Sequence, residues 1–248
     1  MKTLKSAPFR KLVETEPDLV ALRKKHSSMT PKKRWLAAQW QYDSEAAMEL
    51  FPAGFLESAG MSRSGRGMDA GVLSLAIDPL HAPSLLTVGS MEYQHGRRDE
   101  AMRLFLALVR LPADEPDLIV IIDKAGDFLI ASKDYGNALA LYEAAESVYP
   151  GVGTYLVGSG YCLGKLGRLD ESLRKHRVAV ELEPENHKHL NDLGFTLYEM
   201  GMLDEAEQVL LKAQKLSPPG YEFPKNNLER LYAKKKVSRK DKKGGRRK

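Results

Sequence analysis

One period governs this chain. Pro150, Pro184 and Pro218 are spaced by 34 residues, as are Gly126, Gly160 and Gly194, and again Ala145, Ala179 and Ala213. The pairs Gly167/Gly201, Asp170/Asp204 and Glu171/Glu205 keep the same register. Several residue types aligned at one spacing mark an internal repeat, each unit being one supersecondary element stacked on the next. Within a unit the apolar residues recur at three- and four-residue steps: Leu190, Leu193, Leu197, then Leu203, Ala206, Leu210, Ala213. That is a helical period, not the alternation of a half-buried strand. Gly167 and Gly201 separate the two helices of a unit, where a left-handed residue is wanted. Asp170 and Asp204 bring negative charge to the positive end of the second helix. The prolines close each unit, since proline is kept out of helix interiors. One helix pair cannot bury its apolar face alone, so stacked neighbours must supply the core. The pattern predicts an all-α solenoid.

It resembles the tetratricopeptide repeat, a helix–turn–helix unit with small residues at positions 8, 20 and 27 and proline at 32. Four copies fit: 82–118, lengthened by three residues through LPADEPD, then 119–152, 153–186 and 187–220. The last fits best, through Leu190, Leu193, Gly194, Leu197, Ala206, Leu210, Ala213 and Pro218. The copy at 153–186 departs by placing Ser172 at position 20 and His176 at position 24, and the copy at 82–118 departs at Glu92 and Leu108. A degenerate unit is expected at 48–81, with SGMSRSGRGM in place of the tight turn. The resemblance implies a right-handed superhelical solenoid over 48–220. Around it are expected an N-terminal helical extension (1–47), a C-terminal capping helix (221–236, apolar through Leu228, Leu231 and Tyr232) and a disordered basic tail (237–248).

The stretch VGTYLVGSGYCLGKLG (152–167) shares the punctuation of a dinucleotide-binding turn, with Gly158, Gly160 and Gly164 after an apolar run. In repeat register that reading fails. Gly160 is where the two helices of its unit touch, Gly167 closes the turn, and no second strand follows to complete a βαβ unit. Gly158 and Gly164 have no role in the repeat, and each costs about 1 kcal/mol relative to alanine in a helix interior. Close backbone packing and a ligand lying against the helix both remain as explanations.

No other motif carries chemistry. Cys162 is the single cysteine, so neither an internal disulfide nor a cysteine-based zinc site can form, which favours a reducing compartment. His187 and His189 lie two apart and point to different sides of a helix, and the recurrent Asp-Glu pairs belong to helix starts. Gly-x-Ser-x-Gly, His-Glu-x-x-His and Walker signatures are absent. The expectation is a non-enzymatic protein with no catalytic residue, metal or cofactor. The first twenty residues lack a signal peptide's apolar core, and no run approaches about eighteen apolar residues, so a cytoplasmic protein without a membrane span is expected.

The net charge of +5 is uneven: residues 234–248 hold ten Lys or Arg against Asp241, which leaves the rest of the chain mildly acidic. Lys234, Lys235, Lys236, Arg239, Lys240, Lys242, Lys243, Arg246 and Arg247 either solubilise the end of the chain or form an arm for nucleic acid or another polyanion.

What the fold family offers instead of an active site is a groove lined by the first helix of each unit. Carried over by position, the resemblance assigns that lining to Tyr93, Asp123, Asp127, Val157, Tyr161, Lys165, Asn191, Phe195 and Tyr198. Exposed aromatics among mixed polar groups suit an extended peptide or a partner helix. The Lys/Asn/Arg clamp with which one branch of the family grips acidic C-termini is not met, whereas Asp123 and Asp127 favour a partner with positive charge.

Overall fold

Glycine and proline place the helix ends in the computed structural model, which describes residues 79–244 together with Lys24 and Leu75, and side chains as far as Val237. The N-terminal extension and nearly all of the degenerate unit expected at 48–81 lie outside the described residues. Among the described residues the chain is helix and turn, without strand. It divides into two units, Met1–Phe128 and Leu129–Lys248.

The first unit holds α1 (Ala82–Gln94), α2 (Arg98–Leu108) and most of α3 (Leu118–Ala131). Proline stands in the first turn of α1, and Gly96 leaves the helix at φ +79°. The turn is closed by Arg97 N–H donating to the Glu92 carbonyl at 2.9 Å. Gly89 permits the close pairing of α1 with α2: a Cβ there would lie 2.6 Å from Phe105 Cε1. Phe105 in turn meets Phe128 edge-on, with ring centroids 6.0 Å apart. The three-residue insertion becomes a turn, in which Glu115 N–H donates to the Pro112 carbonyl and Asp117 takes φ +55° just before α3.

The second unit holds α4 (Tyr135–Val148), α5 (Gly153–Lys165), α6 (Leu169–Leu182), α7 (His187–Glu199), α8 (Leu203–Leu216) and α9 (Phe223–Gly244). The α5–α6 and α7–α8 turns repeat one geometry, with Gly167 and Gly201 both at φ +79°. At the equivalent place before α4 stands Lys133, which takes φ +58° without being glycine. Asp170 and Asp204 lie inside the first turn of α6 and α8, after Arg168 and Met202, and neither helix has a side-chain cap. Their contribution is charge at the helix start. The cap proper is found at Asp134, whose Oδ1 accepts from Asn137 N–H, and at Asn186, whose Oδ1 accepts from Lys188 N–H at 3.0 Å. Glu146 of α4 ties three successive helices together, accepting from Ser159 Oγ of α5 at 2.5 Å and pairing with Lys175 of α6.

Leu228 and Leu231 of α9 are 4% and 0% exposed, and join Leu173, Leu193, Leu197, Ala206 and Leu210 in one core. The capping role expected of this segment is thus visible in its packing, with one change: Tyr232 is exposed, its hydroxyl bonded to the Glu207 carboxylate. The helix also runs through Gly244, beyond the end expected at 236. Lys and Arg are good helix formers, and nothing in VSRKDKK breaks the helix before the paired glycines.

Candidate binding cleft

A cleft of about 470 Å³ opens in the second unit, among α5, α6, α7 and α9. Helix periodicity explains its walls. Tyr161, Gly164 and Lys165 are spaced three and four apart on α5, and Asn191, Asp192, Phe195, Thr196 and Glu199 follow the same step on α7. Tyr161 and Phe195 are one repeat apart, as are Lys165 and Glu199. Leu169, Ser172 and His176 of α6 enter from behind, and Phe223 and Arg230 of α9 complete the lining.

The interior is polar at its floor and aromatic at its mouth. Ser172 is fully buried, its hydroxyl 3.5 Å from that of Thr196, and the Asn191 Oδ1 accepts from Asn227 Nδ2 at 2.9 Å. His176 is 2% exposed; burial holds its imidazole at a pKa of about 4, so it is neutral at physiological pH, and its Nδ1 has no hydrogen-bond partner among the described residues. Asp192 shows the opposite effect. Burial pushes its carboxyl up to about 6, against the lowering influence of the Asn191 amide and the Lys188 charge. At the mouth Phe223 is 62% exposed and Tyr161 38%, with the Lys165 ammonium 5.1 Å from the Tyr161 ring centroid.

Two of the glycines on α5 serve packing rather than the cleft. A Cβ on Gly158 would strike the Tyr142 ring of α4, and one on Gly160 would stand 2.8 Å from the His176 ring. Gly164 differs. It lines the cleft, and a Cβ there would meet only Ser172 Oγ, at 3.4 Å.

A tetratricopeptide-repeat family model matches residues 190–219, which cover most of α7 and all of α8. Residues 190–219 thus carry a tetratricopeptide repeat, and the chain is similar to proteins that bear such repeats. Among curated proteins, the TPR repeat-containing thioredoxin TTL4 of Arabidopsis thaliana is 26% identical over 157 residues, covering 63% of this chain and 22% of that protein. Tetratricopeptide repeat protein 8 of Caenorhabditis elegans is 22% identical over 177 residues, covering 66% of this chain and 34% of that one. The chain therefore spans about a third or less of the length of these relatives. Among solved structures, the TPR protein TTC0263 of Thermus thermophilus aligns with a TM-score of 0.48 at 18% identity, over 77% of this chain and 99% of its own.

In tetratricopeptide terms the cleft joins the first helices of two consecutive units with the second helix of the earlier one. Of the residues assigned to the groove by position, Tyr161, Lys165, Asn191 and Phe195 come together in it. Val157 and Tyr198 sit on the same two helices outside its lining. Tyr198 is half-buried, stacked on Phe195 at 6.2 Å, and covered by Lys234, whose ammonium stands 4.4 Å from the ring centroid and donates to the Tyr198 carbonyl. Tyr93, Asp123 and Asp127 belong to the first unit. There Tyr93 is buried edge-on to Phe128 at 5.4 Å, Asp123 is half-buried, and the Asp127 carboxyl is raised by burial.

Repeat positions did not point to Ser172, His176, Asp192, Thr196, Phe223 or Arg230. The signal for the first two was present: both are departures from the small and large apolar residues that the repeat places at those positions. Phe223 and Arg230 arrive with α9, which lies outside the period. Of the basic residues assigned to a polyanion arm, Lys234 is held on Tyr198, and Lys235 pairs with Asp204 at 2.6 Å and Glu207 at 2.5 Å. Lys236 is exposed. Arg239, Lys240, Lys242 and Lys243 lie on the helical part of the tail with side chains outside the described set, as are Arg246 and Arg247 altogether. Among the described residues no group of three or more His, Cys, Asp or Glu could hold a metal, and no helix is long and apolar enough to cross a membrane.

Proposed function

We propose that this protein is a non-enzymatic interaction scaffold that holds a segment of a partner polypeptide in the cleft among α5, α6, α7 and α9. Tetratricopeptide repeats generally mediate protein–protein interactions, and the observation that carries the more specific reading is the lining. Aromatic side chains from two successive units, Tyr161 and Phe195, face one open volume together with Phe223 of the cap, above a floor of buried hydrogen-bonding groups. Aromatic anchors with a few fixed polar groups are what a peptide site requires, since the rings supply contact area and the polar groups set register. A catalytic reading has less support: the one buried histidine of the cleft is neutral with an unpartnered Nδ1, and among the described residues no hydrogen bond joins it to Ser172 or Asp192.

The alternative, association with nucleic acid or another polyanion through the tail, has two fewer cations at its disposal, because Lys234 and Lys235 are engaged with the protein itself. The experiment that tests the main reading compares partners captured by the full chain with those captured by a Tyr161→Ala/Phe195→Ala variant of unchanged helix content. Loss of the partners is expected. An unchanged set of partners contradicts the cleft as the site.

A further inference from the structure

The cleft contains an electrostatic mismatch. Asp192 faces it from α7, and its one hydrogen bond among the described residues comes from the neighbouring Asn191 amide at 3.2 Å. Among the described residues it has no ion pair, and neither has Glu199 two turns further along the same wall. Lys188 on the same helix favours the Asp192 carboxylate, and the Tyr221 phenol, before α9, is raised in part by the Asp192 charge. The cleft cations Lys165 on α5 and Arg230 on α9 stand beyond ion-pair distance, and His176 on α6 is neutral. A carboxylate set in a partly desolvated wall without an ion-paired cation is costly, and a ligand that supplies that partner offsets the cost.

The rest of the cleft suits a cation carried on a methylene stem. Phe195 and Phe223 offer apolar surface, and aromatic faces attract cations. The adjacent pair Lys165 and Tyr161 already demonstrates this within the protein, at 5.1 Å. The floor adds acceptors in the hydroxyls of Ser172 and Thr196, beside the buried His176 ring, whose Nδ1 is unpartnered among the described residues. A planar guanidinium with five donors uses such a floor better than a compact ammonium does.

We propose that the cleft takes an arginine side chain of the partner polypeptide, its guanidinium on Asp192 and its stem along Phe195 and Phe223. This rests on the reading of the cleft as a polypeptide site and adds the chemical identity of the anchor. Because Asp192 must be ionised to receive the guanidinium, and burial holds its carboxyl at about 6, binding strengthens as the pH rises through that value. The bound cation in turn draws the Asp192 carboxyl back down toward its ordinary range.

The test uses the full chain, isotope-labelled for NMR, and three capped alanine-flanked pentapeptides with arginine, citrulline or glutamate at the centre. Citrulline keeps the shape of arginine and removes its charge. The arginine peptide should shift the amides of Asp192, Phe195 and Thr196 saturably, with the citrulline peptide about tenfold weaker or more. The arginine peptide should bind more tightly at pH 7.5 than at pH 5, and Asp192→Asn should abolish both the preference and the pH dependence. The citrulline comparison uses the unaltered protein, so it decides the matter even if the variant folds poorly. Equal binding of arginine and citrulline peptides, or tighter binding of the glutamate peptide at the same amides, overturns the arginine assignment and leaves a polypeptide cleft standing. If none of the peptides moves any cleft amide, the cleft fails as a polypeptide site and the arginine assignment falls with it.

Discussion

The Tyr142 ring of α4 is packed against Gly158 of α5: a Cβ at that glycine would come within 2.6 Å of Cε1. Both residues are buried, so the ring has no room to withdraw. Gly158→Ala should therefore destabilise the fold by about 1–3 kcal/mol, the usual cost of overpacking. Gly164→Ala should do the reverse, since its Cβ would meet one hydroxyl at ordinary contact distance. Relief of the helical glycine penalty should stabilise by up to about 1 kcal/mol, while the added methyl narrows the cleft and weakens partner binding. Urea unfolding of the two variants checks the signs, which differ although both are glycine-to-alanine changes in one helix.

How much of this was legible in the sequence differs from residue to residue. Pro150, Pro184 and Pro218 and the turn glycines Gly167 and Gly201 marked the units, because backbone requirements at helix ends are local. Gly160 was legible for the same reason that Gly89 and Gly194 were: each receives the side chain sixteen residues on, His176, Phe105 and Leu210 in turn. Gly158 was not, because its partner Tyr142 comes from the preceding unit and breaks the repeat's own contact pattern. The cleft was half legible. Tyr161, Lys165, Asn191 and Phe195 followed from repeat position, whereas Asp192 and the α9 contributions depend on tertiary packing that no period encodes.

Lys133 takes the left-handed conformation, φ +58°, at the turn position that Gly167 and Gly201 fill elsewhere. A side chain is strained there, by about 1 kcal/mol. Lys133→Gly should stabilise the protein by about 0.5–1 kcal/mol, and Gly167→Ala or Gly201→Ala should destabilise by a similar amount. Thermal and urea unfolding of the three variants provides the check.

Lys235 holds α9 to α8 through Asp204 and Glu207. Its ammonium, first, and the Tyr232 hydroxyl, second, keep the Glu207 carboxyl below its ordinary value of 4.5. A depressed carboxyl stabilises the fold above the unfolded value and loses that contribution as the pH falls through the folded one. Lys235→Ala, high salt or acidification below about pH 4.5 should each loosen α9. Faster amide hydrogen exchange at Leu228 and Leu231, with α5 unaffected, is the expected outcome.

Asp192 and His176 titrate with opposite consequences in overlapping windows. The Asp192 carboxyl is raised from 3.8 to about 6, so the stability it permits is complete below pH 3.8 and is lost as the pH rises through 6. The His176 imidazole is lowered from 6.5 to about 4, so its contribution is present above pH 6.5 and is lost as the pH falls toward 4. Asp192→Asn removes the first of these. The variant should match the parent near pH 4 and exceed it by on the order of 1 kcal/mol at pH 7.5, as read by urea unfolding at the two pH values.

The central claim is that a partner polypeptide lies in the cleft beside Phe195. Replacing Phe195 with a photo-reactive phenylalanine analogue in the full chain, and Val178 likewise as an exposed control on α6 outside the cleft lining, tests it directly. A covalent polypeptide adduct is expected on irradiation at position 195 and not at 178. Equal adducts at the two positions, or none at 195, would contradict a partner held in the cleft.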